Sequence, residues 1–151
     1  MKTKPTLALA LSALLMAAMP TQAQDKIKLK VMGQPLAGGM IQKHKEQPFF
    51  ETLAAKSGLP IEVEYKPQDT TGIKDTEALR VLESGLFDIV ALRMAQISRD
   101  EPLTMGFDLV GLNPDYKTAR ATTKAYFETL DKRLQSRYQT KFLGVWPAGP
   151  Q

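Results

Sequence analysis

Few side chains in this sequence have the type and spacing that chemistry requires, and Arg93 is the foremost of them. It follows directly on the apolar run Phe87 to Leu92, which reads as a buried central strand, so its guanidinium is expected at the carboxyl edge of a sheet. A planar five-donor fork in that position clamps a carboxylate in bidentate fashion. The competing reading is a structural salt bridge to Asp88, Asp100 or Glu101, because loop arginines often pair locally. The polar loop from Arg93 to Glu101 adds Gln96 and Ser98 as hydrogen-bonding groups, whereas Arg99 reads as surface. Gln34 lies in a second loop, Met32 to Gly39, where glycines and a proline between strand and helix can present amides to an anion. That loop has neither the G-x-G-x-x-G spacing nor a G-K-[ST] ending, so it carries no nucleotide motif. Trp146, at a strand end, either packs in the core or walls a ligand cavity.

The other reactive types do not assemble into a catalytic set. His44 is the single histidine, set among Lys43, Lys45 and Glu46 with no serine or cysteine beside it, and is expected to be exposed. One histidine and no cysteine leave no zinc-type ligand set, and Asp69 to Asp75 lacks the calcium-loop pattern. Glu62 and Glu64 share one face of a strand like a glycosidase pair, yet alternating surface charge explains them without chemistry. Neither an enzymatic role nor a cofactor is expected.

The elements that must position these residues alternate. Ile27, Leu29 and Val31 interleave with Lys26, Lys28 and Lys30, the period of a strand with one buried face. A helix starting near Gln47 turns Phe49, Phe50, Leu53 and Ala54 inward and stops at Ser57-Gly58. Ile61, Val63 and Tyr65 make a second strand, Asp75 or Thr76 caps a helix bearing Ala78, Leu79 and Leu82, and Gly85 ends it. This β-α-β-α-β order predicts an α/β fold with a mainly parallel sheet flanked by helices. Asn113-Pro114-Asp115 starts a long amphipathic helix with Tyr116, Ala119, Thr123, Tyr126, Phe127, Leu130 and Leu134 inward, ending near Tyr138. Phe142, Leu143, Val145 and Trp146 form the last strand.

At the amino terminus, Lys2 and Lys4 precede the apolar run Leu7 to Met19 and the small-residue exit Thr21-Gln22-Ala23. These features predict a secretory signal cleaved after Ala23, the run being short for a membrane span. Without Lys2 and Lys4, 18 basic side chains face 16 acidic ones. That balance, with the charges dispersed, offers no phosphate-backbone footprint, so no nucleic-acid partner is expected. The absence of cysteine suits a bacterial periplasmic domain better than a disulfide-stapled one.

The segment Leu82-Glu-Ser-Gly-Leu-Phe-Asp-Ile-Val, the polar loop after it, Asp108-Leu109-Val110 and Phe142-Leu143-Gly144-Val145-Trp146 together resemble the solute-binding proteins of tripartite ATP-independent periplasmic (TRAP) transporters. The resemblance covers essentially the whole segment after the signal. It implies a periplasmic-binding-protein-like lobe over 24–140, a crossover strand beginning over 141–151, and a second lobe missing beyond it. It further implies capture of a small organic acid, delivery to membrane permease subunits, and no membrane insertion of the chain once the signal is removed. Trp146 to Gln151 parallels a family pattern Trp-x-x-Gly-x-Arg in which the arginine helps hold the ligand, and here Gln151 occupies that place. The family's principal carboxylate-binding arginine falls downstream of Gln151. The loop positions put Arg93, Gln34 and Ser98 forward as ligand-binding residues, and the resemblance adds Trp146 and Gln151. A binding component of an ATP-driven importer, an exported α/β enzyme and the product of a shortened reading frame are the alternatives.

Overall fold

The computed structural model describes residues 25–107, 109 and 111–145; the expected signal segment, Trp146 and Gln151 lie outside the described residues. In chain order it contains β1 (Ile27–Gly33), α1 (Gln47–Glu51), α2 (Leu53–Ser57), β2 (Ile61–Pro67), α3 (Ala78–Glu83), β3 (Ile89–Val90), α4 (Met94–Ile97) and α5 (Tyr116–Tyr138). The three strands form an all-parallel sheet in the order β2-β1-β3, so the fold is α/β. No helix among the described residues is long and apolar enough to cross a membrane.

The central strand is β1, not the Phe87 to Leu92 segment. β3 pairs over two half-buried residues at the edge, held by Asp88 N to Lys30 O and Ala91 N to Met32 O, both 2.8 Å. An apolar run alone does not distinguish a strand paired on both sides from a short edge strand covered by helices. Within β1 the alternation holds only in part. Ile27 is half exposed, and the strand continues into Met32 and Gly33, both buried, where a loop was expected. Val31 and Met32 point to opposite faces, and both are buried because each face is covered at this end of the strand. Toward the other end Lys28 and Lys30 stand opposite Glu62 and Glu64, a solvated ladder of cross-strand charges.

The two faces have separate apolar fillings. Met32 joins Leu79, Val81, Phe87, Ile97, Leu130, Leu134 and Phe142 on one side. On the other, Phe50 stacks on Tyr65 with ring centroids 5.8 Å apart. Phe49 is half exposed, because neighbours on a helix stand about 100° apart and cannot both face inward. Helical winding begins at Met40, ahead of the expected start, and includes a π turn over Gln42–Glu46. It stops where the sequence indicated, at Gly58 with φ +68°.

Two helix caps shift register. The turn before α3 is closed by Glu77, whose Oε2 accepts from Lys74 N at 2.9 Å, rather than by Asp75 or Thr76. In α5 the cap is Asp115, whose Oδ1 accepts from Thr118 N at 2.7 Å, so Pro114 precedes the helix and Asn113 is buried. Ala119, Leu130 and Leu134 of α5 are buried as expected, Tyr138 is buried as well, Tyr116 is half exposed where an inward residue was expected, and Gln139 ends the helix at φ +50°. The last strand does not form over its described part, Phe142 to Val145. Phe142 N donates to Asp131 Oδ1 at 2.9 Å and Lys141 Nζ to Oδ2 at 2.5 Å, so a side chain of α5 replaces a sheet neighbour.

The segment after β3 is fixed to α5 by polar anchors. Glu101 is 1% exposed and receives Arg133 Nε at 2.8 Å and Arg137 Nη1 at 3.5 Å. Tyr138 Oη donates to Asp100 O at 3.0 Å and Tyr126 Oη to Leu103 O at 2.8 Å. Replacing Arg133 by Met keeps the aliphatic stem and removes the strongest partner of a buried carboxylate. The variant is expected to lose about 2 kcal/mol in urea unfolding, less than for a wholly buried pair because the guanidinium is half exposed and Arg137 remains; an unchanged midpoint would remove the anchor role. Asp131 supplies a pH-dependent tie. The Lys141 ammonium, then the Phe142 amide, hold its carboxyl below the usual aspartate range. Its stabilisation is therefore present above that range and lost as pH falls through the lowered value. Contacts between the Phe127 and Phe142 rings, 4.8 Å apart, are expected to weaken in acid before global unfolding, read by NMR, and less so in Asp131→Asn, which keeps the acceptor for Phe142.

Candidate functional site at the carboxyl edge

In the order β2-β1-β3, the chain leaves β1 toward one neighbour and returns to the other, so the β1/β3 junction is a topological switch point, where crevices open in doubly wound sheets. Gln34 leaves β1 there and Arg93 closes the exit from β3, with Met32 opposite Val90 in the register below them. Arg93 is exposed and caps α4, its backbone N donating to Gln96 Oε1 at 3.1 Å. None of the three expected salt-bridge partners takes its guanidinium. Asp88 Oδ2 accepts from Lys30 N, Glu101 serves Arg133 and Arg137, and Asp100 is engaged through its backbone carbonyl. Among the described residues no carboxylate lies within ion-pair distance of Arg93.

The polar loop expected after β3 contains the single turn of α4, and this separates its residues. Gln96 turns back and donates from Nε2 to Asp75 Oδ2, joining the loop after β3 to the loop after β2. Ser98 closes the far end of α4, where its Oγ donates to Ala95 O at 2.8 Å. Its hydroxyl is thus committed to its own helix. Ala37 N donates to Asp69 Oδ2 at 3.4 Å, so the loops after β1 and β2 also meet. An open depression of about 580 Å³ lies in the loop after β2, between Gln68, Asp69, Lys74 and Asp75. Of the five positions put forward from the sequence, Gln34 and Arg93 share the edge, Ser98 faces its helix, and Trp146 and Gln151 lie outside the described residues.

A polar cluster lies beneath Gln34, among residues not singled out as candidates. Glu46 is 2% exposed, and its Oε1 accepts from Gln34 N at 2.8 Å and from Tyr65 Oη at 3.0 Å. Gln42, also buried, donates from Nε2 to Tyr65 Oη at 3.0 Å. Oε2 of Glu46 is buried without a hydrogen-bond partner among the described residues. Burial pushes the Glu46 carboxyl above the usual glutamate range against the lowering effect of the Gln34 and Tyr65 hydrogen bonds; the Tyr65 phenol is also pushed up, chiefly by burial. The available sequence signal was the spacing Gln42, Glu46, Phe50, which puts three inward residues four apart. His44, between them, is exposed. The described residues contain no group of three or more acidic, histidine or cysteine side chains able to hold a metal ion.

Comparison with models of protein families and with curated proteins gave no match.

The cluster depends on the missing side chain at Gly33. A Cβ there would stand 2.0 Å from Tyr65 Oη and 2.3 Å from its Cζ. Gly33→Ala is therefore expected to cost about 2 kcal/mol or more in urea unfolding and to displace the Tyr65 ring in NMR spectra. A variant as stable as the parent with unshifted Tyr65 resonances would contradict this packing.

Proposed function

We propose that this chain supplies the first, periplasmic-binding-protein-like lobe of an extracytoplasmic solute-binding protein of the TRAP-transporter type. In this reading it is exported to the periplasm, captures a small organic acid at the carboxyl edge of its sheet and hands it to membrane permease subunits. The observation that carries the reading is Arg93, exposed at the switch point with no carboxylate partner among the described residues. A guanidinium left without an internal counter-charge beside backbone amides at a sheet edge suits an anionic ligand. The β-α-β-α-β order and the parallel sheet support the lobe reading. The sequence resemblance supplies the transporter class. Binding proteins of this kind close by a hinge because the ligand contacts two lobes, and the contacts from one lobe alone are weak.

Millimolar affinity is the appropriate scale for the test, so the chain is titrated with acetate, lactate and succinate while amide and arginine side-chain NMR signals are followed. The expected result is saturable shifts at Gln34 and Arg93, with Arg93→Ala weakening the response about tenfold or more, the worth of a charge-assisted hydrogen bond. Shifts confined to other surfaces, or a response unaltered by Arg93→Ala, would overturn the assignment.

A further inference from the structure

We propose that Glu46 is the positioning residue of the carboxyl-edge site, a buried latch on the loop leaving β1 that is fastened while its carboxyl carries a proton and freed when it loses it. The proposal rests on the carboxyl-edge reading only for its functional meaning; the latch itself stands on geometry. Glu46 Oε1 holds the backbone N of Gln34, the first residue beyond β1. Tyr65 Oη holds the same oxygen and Gln42 holds Tyr65, so three elements converge on one carboxyl. The π turn over Gln42–Glu46, closed by Gln47 N to Gln42 O, is the segment that presents both side chains inward, and such widened turns concentrate at functional sites.

Among the described residues no cation compensates the carboxyl. β1 faces it with the Gln34 amide and the Gly33 backbone, and β2 faces it with Tyr65. Gln42 and Gln47 of its own segment are uncharged, and Lys43, His44 and Lys45 are exposed. Among the described residues no ion pair involves Glu46. Ionisation would leave a buried charge with one oxygen, Oε2, unpartnered, a state far costlier than the neutral acid. Ionisation makes Oε1 a better acceptor for Gln34 and Tyr65, but the burial of the charge outweighs both bonds, so relief comes only when the Met40 to Gln47 segment moves outward to hydrate the whole carboxylate and draws Oε1 away from Gln34. Burial raises the Glu46 carboxyl, so the folded protein binds this proton more tightly than the unfolded chain. The contribution is therefore fully present below the ordinary glutamate range and lost as pH rises through the raised value. Tyr65 stays neutral throughout, its phenol being pushed upward as well.

Hydrogen exchange at the Gln34 amide, followed by NMR over a pH series without any organic acid and divided by the intrinsic rate, tests the latch. In the parent chain, protection is expected to fall by up to about tenfold per pH unit across the titration of Glu46. Glu46→Gln keeps an acceptor at Oε1 and cannot ionise, so its protection is expected to be independent of pH. A carboxyl with a purely packing role would give parallel profiles in the two proteins, and that result overturns the proposal. Should Glu46→Gln fail to fold, Tyr65→Phe provides the second reading. Loss of a hydrogen bond that favours the ionised form moves the midpoint to higher pH, and a midpoint that stays or falls overturns the latch. The succinate titration of Arg93→Ala is a separate arm, so failure of exchange to follow Glu46 and failure of the organic-acid reading are distinguishable.

Discussion

The buried carboxylate of Glu101 is the interaction on which the carboxyl-edge architecture depends. It is 1% exposed and lies one turn beyond α4, where two arginines from the last half of α5 converge on it. A charge taken out of water persists only with partners, and here the partners come from a helix some thirty residues away. The pairing therefore decides more than local stability. It fixes where the chain goes after β3, with Tyr138 and Tyr126 adding ties to the same segment. Because Glu101 is engaged by α5, it does not pair with Arg93, whose guanidinium has no carboxylate within ion-pair distance among the described residues.

The sheet meets a second constraint at the exit from β1. Tyr65 crosses directly over Gly33, an approach that no side chain at position 33 would permit. That contact brings the phenol to Glu46 and lets Glu46 reach the backbone of Gln34. A buried carboxyl with a single satisfied oxygen is an expensive arrangement for a fold to maintain, and it occurs where the chain leaves its central strand. Charges elsewhere have less consequence. Lys66 to Glu64 at 2.7 Å and Lys132 to Glu128 at 2.6 Å are exposed pairs of the kind that contribute little.

The two halves of the edge are built by different means. The loop after β3 is held from outside by α5, through Glu101 and the two tyrosines. The loop after β1 is held from beneath, through Glu46. The loop after β2 joins them, with Asp75 engaged by Gln96 and Asp69 by the amide of Ala37. Arg93 and Gln34 are thereby set at one switch point by anchors lying far apart in sequence.

Sequence by itself determined the α/β alternation, the stops at Gly58 and Gly85, the extent of α5 to Tyr138 and the place of Arg93 just after a strand, because glycine in the left-handed region, helical periodicity and strand alternation act locally. Tertiary structure alone decided that β1 rather than the Phe87 to Leu92 run is central, that Phe142 is held by Asp131 instead of a neighbouring strand, and that Glu101 belongs to Arg133 and Arg137. The same holds for Gln42 and Glu46, which join into one buried cluster only because β2 brings Tyr65 over Gly33. The physical reason is common to all four cases. Pairing of strands and of buried charges is chosen by what is nearby in space, and composition along the chain carries no record of distance.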